Sequence, residues 1–165
     1  MKDFKNKVKE FVKEKISKKL IADEFVVIKS LPGCQHQAPH FDYDPKRFKD
    51  IKNEDVPCGL IIALMDNTML TVWRKAFAIH DLDKEQKFHP KIYKLNKEDC
   101  LVFRGDTVHA GSAYEKGNIR IHCYLDSDKV MREFNHTWTT ETIDEVRDII
   151  VPVSVNKKKR VRFMQ

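Results

Sequence analysis

The chain has 165 residues, 41% of them hydrophobic and 34% charged, which suits one domain with a real core and excludes a wholly disordered chain or a membrane channel. Its longest apolar run, residues 60–65, is far too short to span a bilayer. The net charge of +6 is uneven: residues 1–20 carry +5, residues 157–165 carry another +5, and the 21–156 body is left at −4, so basicity alone does not name a nucleic-acid partner.

In chain order, the first predicted element is a helix over residues 1–20. Phe4, Val8, Phe11, Val12, Ile16 and Leu20 recur at spacings of three and four, with lysines between them. That stripe suits a basic helix on an anionic membrane or, as the commoner use, a helix packed on a sheet with its lysines in water. Residues 24–128 change period. Short β-prone runs at 25–28, 34–42, 58–65, 67–73, 91–95, 99–104 and 118–125 predict strands, punctuated by Asp66-Asn67, Asn96-Lys97 and Gly105-Asp106. Many short strands with no long helix between them predict a mostly β sandwich or barrel with flanking helices. The segments 44–57 and 74–90 read as binding loops. Residues 129–155 are expected to hold a helix, with Ile143, Val146, Ile149 and Ile150 on one side, then an edge strand at 151–155. Residues 157–165 read as a solvated basic tail able to make a weak polyanion contact. The whole, 1–165, is expected to be a single domain. Met1 followed by charge predicts no secretory leader. Cys34, Cys58, Cys100 and Cys123 form no C-x-x-C pair, which predicts reduced thiols and an intracellular (cytoplasmic or nuclear) setting.

Chemistry concentrates in two stretches. In Pro39-His40-Phe41-Asp42, an extended backbone sends His40 and Asp42 to the same face, two thirds of a metal site. A second imidazole would complete a 2-His-1-carboxylate set, which leaves open positions on a non-heme iron(II) ion. The second stretch runs from Asp99 to Arg120. An apolar strand ends at Gly105-Asp106, His109 opens the next extended piece, and Gly111 follows where a side chain would crowd a metal. In the last strand Ile119, Ile121, Cys123 and Leu125 form an apolar face expected to lie against a helix. Arg120, His122 and Tyr124 form the other. A buried guanidinium is costly unless an anion meets it, and its fork suits a carboxylate. Tyr43 and Tyr124 are candidate pocket residues, Trp73 a core or pocket-wall residue, and Gln37 is expected to point away from His40. His36, His80, His89 and His136 have no comparable context.

The ordered set His40-x-Asp42, His109 and Arg120, with the 99–103 strand and Gly111, resembles the iron(II)/2-oxoglutarate-dependent oxygenase superfamily over about residues 24–128. The phytanoyl-CoA-dioxygenase-like and prolyl-hydroxylase-like branches are not separated by these residues. The resemblance implies a double-stranded β-helix, a jelly-roll or cupin-like barrel. It implies Fe(2+) held by His40, Asp42 and His109, with the remote carboxylate of 2-oxoglutarate on Arg120, and His122 and Tyr124 beside the cosubstrate. The implied reaction consumes O2 and 2-oxoglutarate, releases succinate and CO2, and hydroxylates a protein, nucleic acid or small molecule, or demethylates it through hydroxylation. Ascorbate is an implied accessory reductant. One departure stands out: many relatives carry Ser or Thr two positions after the arginine, where this chain has His122. Asp42 argues against the halogenating branch. Asp126, six residues past Arg120, argues against the nucleobase-demethylating one. Two further readings remain: a cupin-type metal enzyme that does not use 2-oxoglutarate, and a metal-binding jelly-roll module attached to polyanions by its basic ends.

Overall fold

The computed structural model describes residues 2–77, 88–139 and 161–163. A helix, α1 (Lys2–Lys15), leads into the long strand β1 (Leu20–Ser30), followed by β2 (His40–Phe41) and two 3-10 turns at Pro45–Phe48 and Asn53–Asp55. Then come β3 (Cys58–Ala63), β4 (Thr68–Phe77), β5 (Pro90–Leu95), β6 (Cys100–Arg104), β7 (Thr107–Gly111), β8 (Asn118–Ser127), β9 (Trp138–Thr139) and β10 (Val161–Phe163). They form two five-stranded sheets, ordered β1-β8-β3-β6-β10 and β5-β4-β7-β2-β9. The fold is a mostly β jelly roll with a supporting helix. Among the described residues no helix is long and apolar enough to cross a membrane.

Helix α1 lies on the outer face of the first sheet. Its buried Val8 and Val12 meet Leu20, Ala22, Leu60, Val102, Cys123 and Leu125, with Phe11, Ile16 and Phe25 at the margin. The apolar face of β8 therefore meets a helix, as its alternation predicts. The helix ends five residues short of its expected limit. Leu20 leaves the helical stripe but stays in the same core, as the first residue of β1 and the cross-strand partner of Ser127.

β1 is much longer than the predicted 25–28 segment. Its pairing with β8 slips between Ala22 and Glu24. Such a bulge inserts a residue and flips the alternation that follows. Leu20 and Ala22 face α1 before it, and Phe25 faces α1 after it. Ser30 consequently joins the face of Arg120, which donates to it.

Between the sheets, Ile61, Ala63, Leu101 and Phe103 pack on Leu70, Val72 and Leu95. Gly59 makes room there: a Cβ would come within 2.2 Å of Phe103 Cζ. Trp73 is a core residue of the second sheet, clustered with Phe41, Ala76, Val108 and Ala110. Tyr43 is likewise core, beside Phe48, Val56 and Val130, and not a pocket residue.

Three expectations change. The 34–42 segment contributes only His40–Phe41 as strand, plus an isolated bridge from Cys34 to Tyr114. Residues 74–77 of the expected 74–90 loop continue β4, while 78–87 lie outside the described residues. The 157–165 tail is not wholly solvated. Its residues 161–163 form β10, parallel to Cys100–Val102, and supply backbone partners to an edge that β6 would otherwise leave bare. The helix expected around Ile143–Ile150 and the strand at 151–155 lie outside the described residues.

Candidate metal centre

β2 is only two residues long, yet it sets the site. It lies between β7 and β9, and His40 is the direct cross-strand partner of His109. Directly opposed residues share a face, so both imidazoles point inward with ring centroids 4.6 Å apart. Phe41 points the other way into the outer core, and Asp42 returns to the face of His40. His40, Asp42 and His109 are all buried, and their ligand atoms lie within 4.8 Å of one another. The closest approach is 3.4 Å, from His109 Nε2 to Asp42 Oδ2. The three predicted ligands are thus brought together.

Both histidines are oriented in one way. His40 Nδ1 lies 2.8 Å from the carbonyl oxygen of Ala38, and His109 Nδ1 lies 3.0 Å from that of Thr107. A carbonyl only accepts, so each Nδ1 carries the proton and each Nε2 keeps its lone pair. Asp42 Oδ2 is buried without a hydrogen-bond partner. An orphaned carboxylate oxygen beside two aimed lone pairs is a donor set that fits a divalent cation.

The charges agree. Burial pushes His40 down to about 4, with His109 adding to the effect. Burial opposes the charge on Asp42, but the His109 and His122 imidazoles outweigh it and hold the carboxyl below the usual carboxylate range. Burial also opposes charge on His109, where Asp42 more than compensates and raises it. At a pH low enough for His109 to carry a second proton, on Nε2, a cation entering this site competes with that proton.

Arg120 lies on β8, in the opposite sheet. It is only 4% exposed. Its Nη1 donates to Ser30 Oγ at 2.9 Å, and its guanidinium lies over the Tyr114 ring, 5.4 Å from the centroid. Tyr114 is itself fixed, because its hydroxyl accepts from Met69 N and donates to Met69 O. Among the described residues no carboxylate pairs with Arg120. His122 does not join it: its Nε2 lies 3.5 Å from Asp42 Oδ2, and burial pushes it down to about 4. Tyr124 stacks on His122 at 4.3 Å and carries the Arg132 guanidinium, 3.9 Å above its ring. The three inward residues of β8 therefore serve three different places.

Two residues beside the site carry no local sequence signal. Ser30 is placed by the β1 bulge, which no local pattern announces. Gln37 does not point away from the site as an extended 34–42 predicts, because residues 35–39 form no strand. Its Oε1 accepts from Gly111 N at 2.8 Å while its own N donates to Gly111 O. Gly111 is needed for that contact. A Cβ there would lie 2.5 Å from Gln37 Oε1 and 3.3 Å from Arg120 Nη2, so it would crowd those groups before any metal.

No protein-family model matches the chain, and no curated protein matches it in sequence. Solved structures do. AviO1 from Streptomyces viridochromogenes Tue57 is similar with a TM-score of 0.55 and 12% identity, over 79% of this chain and 60% of that one. EvdMO1 is similar with a TM-score of 0.54 and 14% identity, over 76% of this chain and 31% of that one. ThoJ, described as a non-heme monooxygenase, is similar with a TM-score of 0.50 and 13% identity, over 68% of this chain and 48% of that one. The likeness is one of fold. This chain spans less than two thirds of each of these proteins.

Proposed function

We propose that this chain is an Fe(II)- and 2-oxoglutarate-dependent oxygenase that hydroxylates its substrate, or demethylates it through hydroxylation, releasing succinate and CO2. His40 and His109 would hold the metal through Nε2, and Asp42 through Oδ2. The ion bound there supplies O2 activation coupled to oxidative decarboxylation of the 2-oxo acid. Asp42 contributes the negative charge that favours a divalent cation, and the two backbone carbonyls keep both imidazoles in the ligating tautomer. Phe103, whose ring lies 4.7 Å from that of His109, walls one side of the centre against water. Arg120 receives the remote carboxylate of the cosubstrate, with Ser30 and Tyr114 holding its guanidinium in place.

The observation that carries this reading is Arg120. A guanidinium buried inside a jelly roll with no carboxylate partner among the described residues is unfavourable until an anion arrives. A diacid chelated by its 2-oxo acid end to the metal brings one. The test is an anaerobic titration with Fe(II) and 2-oxoglutarate, then exposure to O2 with panels of protein, nucleic-acid and small-molecule substrates. Succinate should form only with both present, and His109→Ala should abolish it. A protein that binds Fe(II) but not 2-oxoglutarate supports instead a cupin-type metal enzyme. The observation favouring that second reading is that His122 turns to Asp42 and leaves the anion site at Arg120 without the extra donor the resemblance implies.

A further inference from the structure

His122 occupies a position that the resemblance assigns to the cosubstrate carboxylate, yet it sits elsewhere. It is 6% exposed, and its Nε2 faces Asp42 Oδ2 at 3.5 Å. Both atoms are buried without a hydrogen-bond partner. Buried polar atoms are rarely left so. Asp42 Oδ2 lies between His109 Nε2 at 3.4 Å and His122 Nε2 at 3.5 Å, and of these two rings only His109 has its Nδ1 on a backbone carbonyl among the described residues. Closing the gap by about 0.5 Å gives an ordinary N–H···O length.

The tautomer decides what His122 does. His40 and His109 each have Nδ1 on the carbonyl two residues earlier, which leaves an Nε2 lone pair. Among the described residues no carbonyl takes the His122 Nδ1 proton in that way. A lone pair on His122 Nε2 would face the carboxylate oxygen as acceptor against acceptor, which repels. A proton there turns the same contact into an attraction. His122 is also absent from the residues whose ligand atoms lie within 4.8 Å of one another. The geometry points to His122 as a positioning residue of the metal centre, in which its Nε2–H holds the metal-facing oxygen of Asp42. A carboxylate on a short side chain rotates easily, and a fixed donor from the opposite sheet keeps Oδ2 turned towards His109. This inference rests on the metal-centre reading and takes His122 away from the cosubstrate carboxylate.

The experiment uses Zn(II) as the probe, with affinity from calorimetric titration and histidine tautomers from long-range 15N–1H NMR of the zinc-loaded protein. His122→Phe should bind Zn(II) about 10–100-fold more weakly, the usual loss when a partner of a metal ligand is removed. Its metal-free melting temperature should fall modestly, because Asp42 Oδ2 loses the donor that faces it. His122→Gln, which keeps an N–H donor, should stay within roughly threefold of the wild type, less than 1 kcal/mol. In the wild type the NMR should show His122 protonated on Nε2, and His40 and His109 on Nδ1. That measurement needs no variant. Unchanged Zn(II) affinity in His122→Phe, alongside a large loss in Asp42→Ala, overturns the inference and leaves the metal centre standing. So does a His122 Nε2 found bonded to zinc. A wild-type protein that binds no Zn(II) refutes the metal centre itself, and this inference with it.

Discussion

Replacing Arg120 with alanine should have opposite effects on the empty and the loaded protein. In the empty protein the guanidinium is 4% exposed, donates to Ser30 Oγ, lies over Tyr114 and has no carboxylate partner among the described residues. Its removal relieves an uncompensated buried charge, so the cost of the lost packing is offset and the melting temperature should change little. In the loaded protein the same substitution strands a carboxylate in a closed site. Truncating one partner of a buried, hydrogen-bonded charge pair costs about 2–5 kcal/mol, which is roughly 30-fold or more in affinity at about 1.4 kcal/mol per factor of ten. Arg120→Lys should be intermediate, since it keeps the charge and loses the fork. Ser30→Ala should lose about tenfold, the scale of one hydrogen bond to a charged group. Anaerobic calorimetric titration of 2-oxoglutarate into Mn(II)-loaded protein reads all three, and Mn(II) affinity should be unaffected. A 2-oxoglutarate affinity that ignores Arg120→Ala would refute the anion-site argument and with it the cosubstrate.

The pH dependence of the metal-free protein should show two limbs. Burial lowers His40 and His122 to about 4, so the unfolded chain binds more protons than the native one between about 4 and their ordinary 6.5, and stability should rise with pH across that window. His109 is raised, so its contribution is full below 6.5 and is lost as pH rises through its native value; denaturant midpoints should therefore fall again on the alkaline side. Saturating metal should remove this second limb, because the metal takes the place of the His109 proton, and a limb that persists would contradict the assignment. Separately, Val12 is fully buried on the sheet-facing side of α1, and Val12→Ala should cost about 2–3 kcal/mol by urea denaturation while leaving metal affinity unchanged. A cost under about 0.5 kcal/mol would mean that the helix does not seal the first sheet.

How much of this could be read beforehand depends on the range of the interaction. The alternation of β8 is local, so the sequence by itself puts Arg120 and His122 inside and Cys123 and Leu125 under the helix. His40 and Asp42 were legible because the geometry of an extended tripeptide puts its ends on one face. His109 is singled out by the resemblance rather than by any local pattern, since its pairing opposite His40 is a contact across 69 positions of chain. What stayed hidden needed long-range register. The bulge at Ala22/Glu24 exists only in the pairing with β8, and Ser30 inherits its direction from it. Gln37 is held by Gly111, a partner that no local pattern reveals. The strand at 161–163 depends on a vacant edge that only the assembled sheet presents.

One feature of the architecture bears on selectivity. The three candidate ligands sit on the second sheet, and the candidate anion anchor sits on the first. Yet the two sheets meet closely here: first-sheet His122 lies 3.5 Å from Asp42, and Arg120 Nη2 would lie 3.3 Å from a Cβ on Gly111, two residues past His109 on β7. A diacid spanning from the metal to Arg120 would therefore run alongside β7. Its permitted length would be set by the register of one strand, as the rise from position 109 to position 111, rather than by any side chain that grips it.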